Sequence, residues 1–558
     1  MTVLPVAEWA PDQPDLADAT SIATNVVPLT PQSYGPVLAP VEYSSNALAG
    51  TCLGMGFAED TTATVHIFAG SATKLEILTA GASSWTDVSG TTYAASNENW
   101  RFAQYNNLEI ATDFADSVQV YNMISGGSFA NLTPGPVDGT TTQFAPLAKF
   151  ACVTKTFLIL GYTYDPVGGT NPARLWWSPS GAPAGVTSGG DTGWPVPGTT
   201  LAQQTQSDYN DMIGPQGAIT GLAPSLTGCD VAIFFERGVF NGFYAGPPNI
   251  FNFYPAAAVK GCLASSSIVQ LGTVVYYYGE DGFYSYDGTQ ALPIGTQKID
   301  QFFAASVDQT ALSLIVGAPD ITNKSIVWIY RSIYAPTATQ DQMLIYRWDI
   351  GRWGAGTVPL QWICRAPVPV SVGSSPLVPG QLQLAAIISG PGASDAPITT
   401  EAGTDIKTES GSDLLTEASG AGFLAYFVGT PLPAQIGTKV VQINENYRSY
   451  VGDHVRPLVN SGRSGLNLLT EQTGLIITQE TGAPILTELS AAMITVAVSA
   501  RNNYFDTEVF GPAVMPDAGG ECPQAADGRY HRAILAIPSG IWSTAFGVDA
   551  QGIRAGQR

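Results

Sequence analysis

The sequence predicts an all-β protein: a β-propeller with one or more small β domains appended, the latter carrying short Thr-Glu strand repeats. Three observations predict it. From about residue 45 to 390, short runs rich in β-branched and aromatic residues alternate with turns containing Gly, Asp or Asn. The 558 residues include 60 Gly and 39 Pro, a surplus of turn formers. Few windows are rich in Ala, Glu, Lys and Leu together, as a helical chain would require.

Taken in order, the chain divides into four stretches. Residues 1–44 read as an extended arm, with Pro5, Pro11, Pro14, Pro28, Pro31, Pro36 and Pro40 and no sustained periodicity. Proline fixes φ and removes a donor, so the arm is expected to run over a surface of its own fold or of a neighbouring subunit. Residues 45–390 read as the propeller. Its strands include 64–69 (TVHIFA), 156–160 (TFLIL), 231–236 (VAIFFE) and 325–330 (SIVWIY). Two pairs read as hairpins: 274–278 with 283–286 across GEDG, and 326–330 with 344–348 across a longer loop. A sandwich of this length would be unusually large, whereas blades of roughly 40–50 residues allow about six to eight.

Residues 391–490 carry two short repeats. In 398–417, Thr400, Thr408 and Thr416 recur eight apart, each followed by Glu401, Glu409 or Glu417. In 468–488, Thr470, Thr478 and Thr487 recur, with Glu471 and Glu488 after the first and last. An aliphatic-x-Thr-Glu unit alternates with period two over four residues, which suits short strands or solenoid-like rungs rather than a helix. So small a ladder is unstable alone, and the two copies are expected to pair with each other or with a neighbouring subunit. Thr400, Glu401, Thr408, Glu409, Thr470, Glu471, Thr487 and Glu488 are therefore the candidate contacts between subunits. A strand-like segment, 423–428, lies between the repeats, and strands resume over 491–558.

Charge narrows the function. With 23 basic and 45 acidic residues the chain carries −22, and only 12% of it is charged against roughly 25% on average. An aromatic content of 10% excludes disorder. The acidity leaves no electrostatic footprint for gripping DNA phosphates. Half of the deficit falls in residues 1–150, where 14 acidic residues meet Lys74, Arg101 and Lys149 (3 − 14 = −11). No apolar run reaches 18 residues, so no membrane helix is expected, and the N-terminus lacks the basic and apolar regions of a secretory signal. The six cysteines are far apart with no CxxC, and read as buried thiols in a reducing compartment.

Catalytic chemistry finds little support. His66, His454 and His531 have no second His or Cys at ligand spacing, and His531 reads as part of a solvated strand edge. No GxGxxG or Walker A pattern occurs, and no cofactor is expected. The stretch 84–90 (SWTDVSG) holds the residue types of a sialidase Asp box in the wrong order. Trp176-Trp177 and Tyr276–Tyr278 could stack sugars, but such residues more often fill cores. The residues favour a non-enzymatic structural or binding protein. The competing class is a carbohydrate-binding or carbohydrate-cleaving propeller, such as a host-surface adhesin.

A collinear series of short segments begins with Trp9-Ala10-Pro11-Asp12 and Asn25-Val26-Val27-Pro28. Phe68-Ala69-Gly70, Trp85–Ser89 and Trp100–Tyr105 follow, then Ala145-Pro146 and Trp176–Pro179. Gly246-Pro247-Pro248, Asp281–Tyr284, Pro293–Thr296, Tyr346-Arg347-Trp348 and Arg352-Trp353 complete the series. In this order, from about residue 9 to 360, the segments resemble the tail nozzle proteins of short-tailed bacteriophages, the family of tail tubular protein B and the packaged-DNA stabilisation proteins. Trp542–Gly547 resembles the family's end more loosely, and 420–490 with the Thr-Glu repeats lies outside it.

The resemblance implies a propeller subunit of a hexameric tube at the distal end of the virion tail, assembled in the host cytoplasm. It implies attachment below the adaptor ring under the portal, contact with tail fibres or spikes, retention of packaged genomic DNA, and its passage without specific binding. No catalytic residue is carried over. Six chains at −22 sum to −132, which suits a conduit that repels a polyanion, so lumen-facing residues are expected to favour Asp and Glu.

Overall fold

The computed structural model describes residues 2–554 apart from 15–17, 80–81, 134–142, 167, 189–190, 336–338, 369–380, 390–421, 444–447, 461–493, 504–505, 518–519 and 541. Among the described residues, seven four-stranded antiparallel units follow one another in a ring. Blades 1 to 6 occupy 54–87, 101–131, 147–211, 219–255, 269–293 and 316–360. Blade 7 is composite. Trp362–Pro367, Leu382–Ser389 and Gly422–Pro431 supply three strands, and Leu38–Glu42 from the N-terminal region supplies the outermost. Its innermost strand lies against the innermost strand of blade 1, which closes the ring.

Burial explains the strand sequences. The inner strand of blade 3, Leu147–Thr154, alternates strictly between half-buried and buried residues. The second strands of blades 4 and 6, Val231–Phe235 and Ser325–Tyr330, are buried at every position. They are sandwiched between neighbouring blades, so both faces must be apolar and alternation disappears. In each of blades 1 to 6, the turn joining the first two strands contains a left-handed residue: Ala63, Asn106, Lys155, Ser225, Gly272 and Lys324, with φ between 52° and 61°. Both expected hairpins form, with Tyr278 opposite Phe283 and Ile326 opposite Tyr346.

A second module grows from the rim of blade 6. Its first sheet runs Val26–Thr30, Ser33–Pro36, Thr544–Arg554, Ser449–Asn460 and Ala526–Gly528, with Thr2–Pro5 beside Thr544–Arg554. Ala355 of blade 6 pairs with Val26, so this sheet continues the blade. The second sheet orders Val441–Gln442, Tyr530–Ile537, Ala434–Gly437 and Ala23–Thr24, with Thr495–Arg501 also on Tyr530–Ile537.

The organisation thus differs from the sequence reading in three respects. The proline-rich segment is extended, but as strands paired within both modules rather than as an arm laid over a surface. The propeller reaches Pro431 instead of 390, because the first Thr-Glu stretch interrupts blade 7 between its second and third strands. Residues 491–558 form no separate unit, since their strands pair with those of 1–36 and 434–460.

Packing between blades 1 and 2 depends on an absent side chain. A Cβ on Gly70 would collide with the indole of Trp100, whose Nε1 donates to the Ser71 carbonyl at 2.9 Å. Two of the segments that carry the resemblance, 68–70 and 100–105, are therefore complementary. Gly70→Val is expected to destabilise the fold by ~1–3 kcal/mol through overpacking. Denaturant unfolding checks this, and a variant as stable as the parent would contradict it.

Candidate functional site

Six of the twelve segments that carry the resemblance meet in space where the second module docks on blades 5 and 6. The helix Asp300–Ser306, in the link between those blades, has no side-chain cap from Ile299. Asp12 supplies one from the N-terminal segment. Its carboxylate accepts from the Gln301 amide at 2.8 Å and the Phe302 amide at 2.7 Å. Trp9 sets its ring edge-on to Phe302 at 5.5 Å, and its amide donates to the Tyr34 hydroxyl at 2.9 Å. Glu8 pairs with Lys298 at 2.8 Å, and the same ammonium donates to the Gly351 carbonyl.

Beneath this contact lies an aromatic cluster. Phe283 sits 4.9 Å from Phe303, 4.8 Å from Trp328 and 5.4 Å from Trp353, and Trp353 packs 4.8 Å from Tyr346. Trp353 Nε1 donates to the Ile294 carbonyl at 3.1 Å. Gly282 and Gly295 both face the Asp300 carboxyl, leaving no room for a Cβ at either position. Arg347 Nη1 donates to the carbonyls of Pro28 and Leu29 at 2.9 and 2.7 Å. Asn25 accepts from the Thr357 amide and donates to the Pro433 carbonyl, each at 2.7 Å. The junction thus gathers 9–12, 25–28, 281–284, 293–296, 346–348 and 352–353.

The electrostatics of the junction are unbalanced toward acid. Burial pushes the Asp300 carboxyl up to about 6, the carboxylates of Asp12 and Asp281 add to the rise, and the Phe283 amide offsets part of it. The arrangement joins three parts of the chain by packing, capping and ion pairing.

Elsewhere, Arg101 begins the inner strand of blade 2 and reaches the link between blades 4 and 5, where its Nη2 donates to the Ser266 hydroxyl at 2.8 Å. Asn99 donates to the same hydroxyl at 3.0 Å, and Lys149 of blade 3 pairs with Glu98 at 2.8 Å. The Ser266 contacts tie blade 2 to a non-adjacent part of the ring, and Lys149–Glu98 ties blade 3 to the link into neighbouring blade 2. The quoted segment 100–105 marked Arg101, but nothing in the sequence indicated its partner.

The eight Thr-Glu candidates, Thr400, Glu401, Thr408, Glu409, Thr470, Glu471, Thr487 and Glu488, lie outside the described residues. The flanks of their segments are defined. Ser389 pairs with Gly422, Asn460 pairs with Thr544, and Thr495 pairs with Ala536.

The histidines are dispersed. His66 is buried, 3.2 Å from Asp60, whose carboxylate also accepts from Thr62 and Thr64 in the first hairpin of blade 1. The Thr62 hydroxyl and these further donors hold Asp60 well below the usual carboxylate range. His454 is exposed beside Glu521 at 3.2 Å. His531 corrects the sequence reading. It is fully buried in Tyr530–Ile537, which is covered by Thr495–Arg501, and its Nε2 donates to the Gly528 carbonyl at 3.1 Å.

All six cysteines are buried and unpaired, and burial pushes Cys52, Cys152, Cys229 and Cys262 up to about 12, which makes those four thiols inert. Trp176, Trp177, Tyr277 and Tyr278 are buried in the blades. Among the described residues, no three His, Cys, Asp or Glu side chains converge as metal ligands, and no helix is long and apolar enough to cross a membrane.

No family model and no curated protein matches the chain. Among solved structures, the computationally designed Ika8 protein is similar over 62% of this chain and 98% of its own, at 10% identity and a TM-score of 0.33. YCF48 bound to D1 peptide is similar over 57% of this chain and 85% of its own, at 11% identity and a TM-score of 0.31. Both likenesses are loose, and the propeller assignment rests on the sheet order.

Asp300 gives the junction a pH signature. Its folded value of about 6 lies above the ordinary 3.8, so its contribution to stability is fully present below pH 3.8 and lost as the pH rises through 6. Asp300→Asn is expected to gain stability relative to the parent between pH 4.5 and 7.5. Thermal unfolding across that range checks it, and a difference independent of pH would contradict it.

Proposed function

We propose that this chain is a structural virion protein, a tail nozzle subunit of a short-tailed bacteriophage. In this reading six copies form a tube below the adaptor ring, retain packaged DNA and conduct it during ejection. The observation that supports the reading is the junction: six of the twelve segments that resemble the nozzle family, far apart in sequence, pack together there, while the other six lie in blades 1 to 4.

Charge supports the same reading. Much of the cationic minority is held by carboxylates: Lys155 by Asp230, Lys260 by Asp281, Lys324 and Arg347 by Asp349, Arg448 by Asp527 and Arg456 by Glu521. With cations occupied and carboxylates in surplus, the surface offers a passing polyanion little to adhere to.

One observation favours the adhesin reading. Phe243, Tyr244 and Tyr254 are exposed on the outer strands of blade 4, where aromatic faces could stack sugars. The two readings separate on location and ligand. Immunogold labelling with an antibody against this chain is expected to mark the distal end of the tail in particles of the phage that encodes it. Unlabelled tails, together with glycan binding by the purified chain, would overturn the nozzle reading.

A further inference from the structure

Arg101 is a cation set inside the ring with no carboxylate against it. Its guanidinium crosses the interior from the inner strand of blade 2 to the short helical turn Ser265–Ser267, which links blades 4 and 5. Burial pushes the guanidinium down to about 10, and the Cys262 sulfur and the Glu98 carboxylate offset only part of that fall. Glu98 is itself committed to Lys149 at 2.8 Å. Among the described residues, the acceptor of the Arg101 guanidinium is one neutral hydroxyl, that of Ser266, whereas buried charges in folded proteins are ordinarily paired.

The group is nevertheless held in place. Its central carbon lies 5.7 Å from the centroid of the Phe150 ring, and Nη2 donates to Ser266 Oγ at 2.8 Å. Nε and Nη1 have no acceptor among the described residues, and neither atom is sealed from solvent. Nη2 spends one of its two hydrogens on Ser266. Whichever hydrogen that is, one planar fork, Nε with Nη2 or Nη1 with Nη2, stays whole. A second observation points the same way. Ser266 is only 5% exposed, and its hydroxyl oxygen also accepts from Asn99 Nδ2 at 3.0 Å. Both lone pairs are then filled, so the hydroxyl hydrogen is left over, and no acceptor for it lies among the described residues. A buried hydroxyl donor beside an open guanidinium fork calls for an oxygen acceptor that both can reach.

We propose that Arg101 and Ser266 bind a small monocarboxylate inside the ring. Two coplanar oxygens match the open fork of Arg101, and one of them accepts the Ser266 hydroxyl hydrogen. One negative charge neutralises the guanidinium. A dianion such as phosphate is disfavoured, because Glu98 acts on the same place and the charge of neighbouring Lys149 is already spent on Glu98. The site lies within the ring of a single chain and is independent of the nozzle assignment.

The test uses the full chain labelled with nitrogen-15 arginine, which gives one Nε–H resonance for each arginine. The Arg101 resonance is the one lost in Arg101→Lys; if that variant does not fold, it is the one displaced most in Ser266→Ala. At pH 7 and constant ionic strength, sodium acetate is expected to shift this resonance saturably, and sodium phosphate to bind more weakly. Ser266→Ala is expected to weaken acetate binding about tenfold, through loss of one hydrogen bond to a charged group. The proposal is overturned if acetate leaves the resonance unmoved up to about 100 mM, or if chloride moves it equally, since that response is screening alone. It is equally overturned if phosphate binds as well as acetate, or if Ser266→Ala binds acetate as tightly as the parent.

Discussion

A ring of blades has no stable end of its own. Each four-stranded blade is covered on both faces by its neighbours, so a last blade that lacks its outer strand leaves an unpaired edge at the one point where the ring must hold. Here Leu38–Glu42 supplies that strand, pairing Val41 with Tyr426 and Glu42 with Ala425. The same stretch of chain is committed elsewhere too. Val26 pairs with blade 6, Thr2–Pro5 pairs with Thr544–Arg554, and Asp12 caps the helix between blades 5 and 6. Closure of the propeller and docking of the second module are therefore one event, governed by the first 42 residues.

The arrangement explains how the chain accommodates its repeats. The first Thr-Glu stretch departs from Ser389 and returns at Gly422, two residues paired in blade 7. The second departs from Asn460 and returns before Thr495, both anchored in the second module. Insertions whose ends are fixed in paired strands leave the scaffold's register intact, and long insertions between such ends cost little. The scaffold can thus present acid-rich segments without depending on them for its own stability.

The sequence was legible where physical chemistry is local. Continuous apolar runs such as 231–235 and 325–330 read as strands because burial on both faces requires apolar residues throughout. The hairpin of 274–278 with 283–286 followed from its glycine-containing turn, and that of 326–330 with 344–348 from its two β-rich runs. The blade number was not legible, since Ala63, Lys155, Ser225 and Lys324 adopt left-handed turns with residue types that carry no such signal. The N-terminal segment was misread because prolines argue against central strands, yet Pro5, Pro28 and Pro40 sit in ladders opposite Gly547, Tyr34 and Phe427. His531 was misread because Arg529, Tyr530 and Arg532 beside it are polar, although Arg532 is itself buried and paired with Glu508 at 3.1 Å. The junction needed long-range geometry: each short segment was visible, but their meeting at Asp300 and Phe283 was not.

The central claim is that the described residues of 2–42 are a cooperative part of the propeller and of the second module at once. Hydrogen–deuterium exchange of the intact chain tests it most directly. The amides of 26–30 and 38–42 are predicted to exchange as slowly as those of 422–431 and 530–537, and to open together with them when denaturant is raised. Exchange of 26–42 orders of magnitude faster than that of 422–431, with blades 1 to 5 still protected, would show a detachable arm and contradict the account.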